Sequence, residues 1–387
     1  MNIAARARSL TASPTLAVTS RAKQLKLSGN DVVSFGAGES YFATPEHIKA
    51  AAIKAIKEGF TKYTPSSGLL QLKQAICKKL KQDNHLDYNL EQIIVCSGAK
   101  HALYNIFQII CDPLDEIIIP APYWVSYPQM VKVAMGTPVI LKTEEKNGFK
   151  ITPQDLEQTI TKKTKALILN SPSNPTGAVY TLGEVKAIAE IALKNNLIII
   201  SDEIYEKLIY CKEKHISIPS VNERLYSSTF IVNGVSKAYA MTGWRIGYLA
   251  GPVEAVAKIS SLQDHSTSCA NAIAQMAALE ALTTKDKFID TMRREFMKRC
   301  DYMVKRIQNI PKLSLRKPDG AFYAFCNISG TGLDSVSFAQ RLLEEAYVAV
   351  VPGIAFGNDQ YVRLSFAVSI EEIKKGLDRI ENWVNKL

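Results

Sequence analysis

Short apolar runs, each followed by polar or turn-forming residues, recur through the middle of the chain and constrain its fold more than any other feature. Helical segments such as 182–195 separate them. Continuous apolar strands that alternate with helices are typical of a mostly parallel sheet covered on both faces. The polar clusters would then follow the carboxyl ends of the strands, where open α/β sheets bind their ligands. The runs lie at 92–96, 116–119, 166–169 and 197–200.

The chain is long enough for two domains, because 387 residues exceed one ordinary hydrophobic core. After Gly251 the pattern changes to helices followed by mixed structure, with predicted strands at 320–325 and 361–366. We therefore predict an α/β protein with a mixed, mostly parallel sheet, helices on both faces and a smaller α+β domain. The predicted division is an N-terminal arm that completes the small domain (1–45), a large domain that contains the sheet and its ligand-binding edge (46–280) and a small C-terminal domain (281–387).

The composition argues against several classes of function. The net charge is +10, but the lysines are spread along the chain without a basic block interleaved with aromatic residues, so we expect no nucleic-acid partner. Seven cysteines without a C-x-x-C pair and five histidines without ligand spacing predict neither a disulfide framework nor a metal site. No apolar run reaches the roughly 18 residues of a membrane span. The start lacks the apolar centre of a secretory signal, so we expect a cytoplasmic protein.

The stretch 233–248 crowds a lysine, glycines and an arginine between two apolar runs. Lys237 follows the predicted strand 229–232, and a lysine at the end of a buried strand need not be a solvated surface charge. Burial lowers the pKa of a lysine from about 10.4, and the neutral amine can then attack a carbonyl carbon. Most lysines are simply solvated, so the interpretation of Lys237 depends on the residues that accompany it.

The other polar residues at this predicted sheet edge match the needs of pyridoxal 5'-phosphate. A lysine binds its aldehyde, an aspartate keeps the pyridine nitrogen protonated, and an arginine with a helix N-terminus binds its phosphate. Each residue alone has an ordinary structural explanation, such as a helix cap, a turn or a core aromatic. The set consists of Lys237, Asp202, Tyr205, Asn174, Arg245, Trp124 and a helix start at Ser97-Gly98-Ala99.

Three motifs carry a family resemblance: Asn-Pro-Thr-Gly at 174–177, Ser-Asp-Glu-Ile-Tyr at 201–205, and Ser-Lys at 236–237 followed by Met-Thr-Gly-Trp-Arg-Ile-Gly at 241–247. With them the chain resembles the fold-type I, class I aminotransferases over nearly its full length. More closely, it resembles the bacterial subgroup of aspartate and aspartate/prephenate aminotransferases. The resemblance implies a pyridoxal phosphate enzyme and a homodimer with shared active sites.

The resemblance also implies a role for each matching residue. Lys237 would be the Schiff-base lysine and the base that moves the proton. Asp202 would pair with the pyridine nitrogen. The other implied cofactor contacts are Tyr205 and Asn174 at the ring hydroxyl, Trp124 on the ring face, Arg245, Ser236 and the Ala99-Lys100 backbone at the phosphate, and Tyr63 from the partner subunit.

For the substrate, the resemblance implies that Arg363 binds the α-carboxylate as a two-pronged ion pair. The implied reaction moves the amino group of L-aspartate or L-glutamate to a 2-oxo acid, 2-oxoglutarate or oxaloacetate, by a ping-pong mechanism. Thr11 resembles relatives that also accept prephenate, which adds prephenate as a third substrate to test. The other implied substrate contacts are Gly38, Trp124 and Asn174 near the α-carboxylate, and Ser13, Thr15 and Lys100 at the distal carboxylate.

Two departures from the family pattern concern the site. Gly234 stands where many relatives have a serine that contacts the phosphate, which predicts a slightly weaker phosphate site. The sequence Gly-Glu-Ser-Tyr at 38–41 replaces the usual Gly-Glu-Pro-Asp, which predicts a different local loop geometry.

Other interpretations of the same residues stay open. An aromatic or alanine-type aminotransferase, or a C–S lyase, could use the same cofactor set. A cofactor-binding regulator would need a DNA-binding module, and no helix-turn-helix precedes residue 30. A doubly wound nucleotide-binding protein would need a G-x-G-x-x-G or Walker loop, and the sequence has neither.

Overall fold

The computed structural model describes residues 2–8, 10–11 and 14–387. Among these residues, no helix is long and apolar enough to cross a membrane. The helices are α1 (Ala5–Arg8), α2 (Pro14–Leu27), α3 (Glu46–Lys57), α4 (Leu70–Asn84), α5 (Ala99–Ile110), α6 (Ser126–Val133), α7 (Pro153–Thr159), α8 (Leu182–Lys194), α9 (Val253–Asp264), α10 (Ala272–Thr283), α11 (Phe288–Ile307), α12 (Ser335–Ala346) and α13 (Ile370–Val384). The strands are β1 (Val33–Ser34), β2 (Ile93–Cys96), β3 (Glu116–Ala121), β4 (Thr137–Lys142), β5 (Thr164–Asn170), β6 (Ile198–Asp202), β7 (Thr229–Gly234), β8 (Gly247–Ala250), β9 (Ser314–Leu315), β10 (Tyr323–Asn327), β11 (Val348–Ala349), β12 (Val351–Pro352) and β13 (Tyr361–Ser365).

A seven-stranded sheet forms the centre of the fold, in the order β2-β8-β7-β6-β5-β3-β4. Neighbouring strands are parallel except where β8 is involved, because β8 runs antiparallel to both β2 and β7. Successive residues of β2 enter different cores: Ile94 packs with α5, α6 and α9, whereas Ile93 and Val95 pack with α3, α4 and α10. Helices therefore cover both faces, and the predicted α/β fold with a mixed, mostly parallel sheet is confirmed.

Two smaller sheets accompany the central one. β12, β13, β10 and β9 form an antiparallel sheet, and β1 pairs in parallel with β11, so that Val33 lies beside Val348. Their core comes mainly from α11, α12 and α13, and it also includes Ile204 and Tyr205 from the turn after β6. The end of β6 is therefore buried between the central sheet and the C-terminal part of the chain. The domain boundaries at 45 and 280 stay a prediction.

The structure differs from the sequence prediction at two strands. The sequence analysis does not predict β4, because Pro138 comes directly before its short apolar run, Val139 to Leu141, and a proline in such a run argues against a strand; β4 is an edge strand with only one buried residue. The strand predicted at 320–325 is instead β10, which begins at Tyr323. Ala321 has a left-handed backbone with φ 59°, and this conformation cannot continue an extended strand.

Candidate active site

A cavity of about 450 Å³ lies at the carboxyl ends of β5, β6 and β7, beside the N-terminus of α5. This is the edge of the sheet at which open α/β folds bind ligands. Every predicted site residue lines the cavity except Tyr63, which is 89% exposed, and Ser13, which lies outside the described residues. The predicted residues in the lining are Thr15, Gly38, Ala99, Lys100, Trp124, Asn174, Asp202, Tyr205, Ser236, Lys237, Arg245 and Arg363.

Lys237 follows β7 and points its amine into the cavity. Its Nζ donates a hydrogen bond of 2.6 Å to the carbonyl oxygen of Gly38, and it lies 5.7 Å from the centroid of the Tyr205 ring. Burial first, and then the nearby Arg363 and Arg245, lower the pKa of Lys237 to about 8, although the carboxylates of Glu39 and Asp202 raise it. A larger fraction of this amine is therefore neutral near neutral pH, as a nucleophile or a base requires.

Asp202 is the last residue of β6, and it is 4% exposed. The hydroxyl of Tyr127, on the first turn of α6, donates a 2.6 Å hydrogen bond to its Oδ2. The Ile204 N–H donates to its Oδ1 at 3.3 Å. Burial raises the pKa of Asp202 to about 6 although both hydrogen bonds lower it. A buried carboxylate with these properties is suited to binding a cationic or protonated nitrogen.

Tyr127 was not among the residues that the sequence singled out. It lies three residues after Trp124, in the polar cluster that follows β3, and the two rings meet edge to face at 5.3 Å. The Tyr127 N–H donates to the Trp124 carbonyl at 3.1 Å, so the turn that leads into α6 brings these two residues together. That spacing, together with the position of the cluster at the sheet edge, is the signal that could have identified Tyr127.

Tyr205 and Tyr323 meet at the wall of the cavity, where their hydroxyl oxygens are 2.9 Å apart. Tyr205 comes from the turn after β6 and Tyr323 from β10, so this hydrogen bond joins the central sheet to the antiparallel one. Tyr323 also lines the cavity but was not predicted, because nothing in its local sequence pattern distinguishes it from a core aromatic.

Arg363 of β13 is 2% exposed and lies at the inner end of the cavity. Its Nη1 donates to Asn174 Oδ1 at 3.0 Å and its Nη2 to the Gly36 carbonyl at 2.8 Å. The guanidinium stacks 4.3 Å from the centroid of the Tyr323 ring. Within the described residues no carboxylate forms a salt bridge with Arg363, and its buried Nε has no hydrogen-bond partner. A buried guanidinium of this kind is a suitable receptor for a carboxylate ligand.

Two glycines bring Arg245 close to the N-terminus of α5. A Cβ atom at Gly98 would lie 2.5 Å from Arg245 Nη2, and one at Gly247 would lie 2.2 Å from the backbone nitrogen of Ala99. Gly98 has φ 87°, which favours glycine. Ser236 is buried in the same lining. A helix N-terminus beside an arginine and a hydroxyl is a suitable site for a phosphate group.

The structure shows what packs around Gly234 and around the loop 38–41, the two places where the sequence departs from the family pattern. A Cβ atom at Gly234 would lie 2.9 Å from Gly247 Cα, so the backbone of β7 packs too closely on β8 for a side chain at this position. The loop 38–41 is anchored to the C-terminal part of the chain, since the Tyr41 N–H donates to the Ala367 carbonyl at 2.8 Å. The Arg299 guanidinium lies 5.2 Å from the centroid of the Tyr41 ring. How Gly234 affects phosphate binding stays a prediction.

Lys100 and Thr15 lie on the outer wall of the cavity. The Lys100 ammonium is 4.9 Å from the centroid of the Trp124 ring. Lys100 is exposed as a whole, but partial desolvation of the ammonium, with a further contribution from Arg245, lowers its pKa. Thr15 is in the first turn of α2, and Thr19, which the sequence did not single out, also lines the cavity. A lysine and two threonines can receive a second anionic group of a ligand.

The fold and the cavity define an α/β enzyme in which a lysine, a buried carboxylate, an anion site and a buried arginine converge at the sheet edge. The model of the family described as aminotransferase class I and II matches residues 30–380, and the chain belongs to this family. It is 50% identical to the aspartate aminotransferase of Geobacillus stearothermophilus, covering 99% of both chains. It is 46% identical to the probable aspartate/prephenate aminotransferase of Rickettsia conorii, covering 99% of this chain and 98% of the relative. The solved structure of Thermus thermophilus aspartate aminotransferase with maleate superposes with a TM-score of 0.95 at 42% identity, covering 99% of both chains.

Proposed function

We propose that this protein transfers the amino group of L-aspartate or L-glutamate to a 2-oxo acid, 2-oxoglutarate or oxaloacetate, with pyridoxal 5'-phosphate and a ping-pong mechanism. The observation that carries the proposal is the convergence of Lys237, Asp202 and Arg363 on one cavity. Full-length relatives named aspartate aminotransferase support the choice of substrate.

The residues of the cavity fit the cofactor. The close approach of Arg245 to the N-terminus of α5, which Gly98 and Gly247 allow, suits a phosphate, and the buried carboxylate of Asp202 suits the ring nitrogen. Pyridoxal phosphate, when bound, supplies the electron sink that allows bonds to the substrate Cα to break. The proposed contacts are Asp202 at the ring nitrogen, Tyr205 and Asn174 at the ring hydroxyl, Trp124 on the ring face, and Arg245, Ser236 and the Ala99-Lys100 backbone at the phosphate.

Lys237, Arg363 and Gly38 have separate roles in the proposed reaction. Lys237 holds the cofactor and moves a proton, since its lowered pKa leaves part of the amine neutral. Arg363 orients the substrate through its α-carboxylate. Gly38 lets the Tyr323 hydroxyl approach its backbone closely at the cavity wall, because a Cβ atom there would lie 2.8 Å from that hydroxyl, and its backbone is proposed to contact the α-carboxylate.

The distal carboxylate of aspartate is proposed to meet Lys100, Thr15 and Ser13. Lys100, which is exposed, and Thr15 line the same cavity as the buried Arg363. The solved structure from Thermus thermophilus contains maleate, which is a dicarboxylate. Two cationic side chains in one cavity, one for each carboxylate, would favour dicarboxylic substrates over monocarboxylic ones.

Prephenate is a second candidate acceptor, because several full-length relatives are named probable aspartate/prephenate aminotransferases. We also propose a cytoplasmic homodimer in which Tyr63 of one subunit reaches the cofactor phosphate of the other. The exposure of Tyr63, and its position outside the cavity of its own chain, support that arrangement.

An absorption spectrum tests the proposal directly. The purified protein with pyridoxal phosphate should show a visible band that L-aspartate, added without a 2-oxo acid, converts to a band at shorter wavelength. The matched Lys237→Ala variant should not form the lysine-dependent band. A protein that stays colourless would overturn the cofactor assignment, whereas a coloured protein that does not respond to aspartate or glutamate would overturn the substrate assignment.

A further inference from the structure

A second group of buried charges lies directly behind Asp202. Glu203, the next residue, is completely buried, and Glu206 is 8% exposed. Successive residues at the end of a strand point to opposite sides. Asp202 therefore lines the cavity, whereas Glu203 shares the opposite side with Ser201, whose hydroxyl donates to Glu203 Oε1 at 2.8 Å.

The loop that contains His215 supplies most of the remaining donors to Glu203. His215 Nε2 lies 2.8 Å from Glu203 Oε2, and the Ser217 hydroxyl donates to the same oxygen at 2.6 Å. The His215 side chain is only 9% exposed. Glu203 is thus a fully buried carboxylate whose position is set by a loop more than ten residues further along the chain.

Helix α4 holds the other carboxylate of the group. The ammonium of Lys79 forms a close ion pair with Glu206 and donates to Asn84 Oδ1 at 2.7 Å. Asn84 Nδ2 donates to Glu206 Oε2 at 2.7 Å and approaches Glu203 Oε2 at 3.3 Å. Burial alone would raise the pKa of Glu206, but Lys79 first and then His215 lower it to about 2.

This group resembles a cation site, because ligand atoms of Glu203, Glu206 and His215 lie within 4.8 Å of one another. The chain itself already supplies a cation there, in the ammonium of Lys79, and the Asn84 amide contacts both carboxylates. The two acids are therefore compensated by protein donors. The role of Glu203 and Glu206 therefore depends on which segment of the chain they hold in place.

What they hold is the turn 202–206, which carries two of the proposed cofactor contacts. Asp202 begins the turn, Tyr205 lies between Glu203 and Glu206, and Asp202 and Tyr205 line the cavity. We propose that Glu203 and His215 are positioning residues, which fix this turn from behind so that Asp202 and Tyr205 meet the cofactor ring. The inference rests on the proposed function, since it concerns the same cofactor site.

The test compares His215→Leu, which removes the donor, with His215→Gln, whose amide can still donate to Glu203. Each full-length protein is stripped of cofactor and titrated with pyridoxal phosphate, and its visible spectrum and thermal unfolding are recorded. His215→Leu should raise the Kd about tenfold, as is common when a residue that orients a binding group is lost, and should shift the visible band. His215→Gln should restore both values to within about twofold.

The outcomes separate the two proposals. If the wild type binds pyridoxal phosphate, and His215→Leu lowers only the melting temperature while Kd and spectrum stay as in the wild type, His215 is merely structural and the inference is overturned. If the wild type itself does not bind the cofactor, the proposed function fails and the inference fails with it. Should His215→Leu not fold, Ser217→Ala removes a neighbouring donor to Glu203 and should give a smaller increase in Kd; an unchanged Kd and spectrum would overturn the inference.

Discussion

Tyr127 donates a 2.6 Å hydrogen bond to the buried carboxylate of Asp202 and so joins α6 to the end of β6. This hydrogen bond lowers the pKa of Asp202, whereas burial raises it to about 6. The ionised state of Asp202 near neutral pH therefore depends in part on a hydroxyl from a different segment of the chain.

Removing that hydroxyl should weaken the site. Tyr127→Phe should raise the pKa of Asp202, lower the affinity for pyridoxal phosphate and reduce the free energy of unfolding by about 1–2 kcal/mol. The transamination rate should fall most at the acidic end of its pH profile, where more Asp202 is protonated. Tyr123→Phe is a control in the same segment, because Tyr123 does not line the cavity. Equal pH profiles for Tyr127→Phe and the wild type would contradict the prediction.

Lys100→Ala should separate dicarboxylic from monocarboxylic substrates. Loss of a charged contact to the distal carboxylate should reduce kcat/KM for aspartate by about 10- to 100-fold. Alanine has no distal carboxylate, so its kcat/KM should change little. Steady-state kinetics with both amino donors make the comparison within one protein. If both substrates lose activity equally, Lys100 does not contact the distal carboxylate.

The lowered pKa of Lys237 predicts a pH dependence of stability. The pKa is about 8 in the folded protein and about 10.4 in an unfolded chain. Between these values the unfolded chain binds more protons, so the contribution of Lys237 to the free energy of unfolding increases as the pH rises. Urea unfolding of the cofactor-stripped protein at several pH values in this window should show a steeper increase for the wild type than for Lys237→Met. Parallel curves for the two proteins would refute the assignment.

Gly98→Ala should damage the phosphate site. The new methyl group would lie 2.5 Å from Arg245 Nη2, and the backbone φ of 87° is unfavourable for alanine. We expect the Kd for pyridoxal phosphate to rise at least about tenfold and the free energy of unfolding to fall by about 1–3 kcal/mol. Gly183→Ala in α8 is the matched control, since nothing lies within 4 Å of its new Cβ atom. A Gly98→Ala protein that binds the cofactor normally would place the phosphate elsewhere.

Mixing two inactive variants tests the shared active site. Lys237→Ala and Tyr63→Ala should each bind pyridoxal phosphate poorly. In a mixed dimer, one site combines both defects, and the other combines the intact Lys237 of one subunit with the intact Tyr63 of the other. Refolding the two together should restore roughly a quarter of all sites if subunits pair at random. Recovery no greater than the sum of the separate variants would exclude an active site completed by Tyr63 of the partner.

The sequence best predicts site residues whose position follows from a local pattern, such as the end of an apolar run. Lys237 and Asp202 each follow an apolar run, and parallel strands bring such positions to one edge, so both can be placed from pattern alone. Tyr323 and His215 could not be placed, because Tyr323 meets Tyr205 from 118 residues away and His215 meets a glutamate with no ligand-like spacing. Those contacts depend on how distant segments pack. Edge strand β4 was missed for another reason, since Pro138 precedes its short apolar run and argues against a strand.

The single reversed strand of the central sheet has a mechanical consequence. β7 and β8 form an antiparallel pair, and Lys237 and Arg245 both lie in the connection between them. The separation between Lys237 and Arg245, which are proposed to hold the cofactor at its aldehyde carbon and at its phosphate, is therefore fixed by a short, local piece of chain. Arg363 and Gly38 come from other segments, on β13 and the N-terminal loop. A rigid-body shift of the C-terminal sheet would thus move Arg363, the proposed substrate contact, while Lys237 and Arg245 kept their separation.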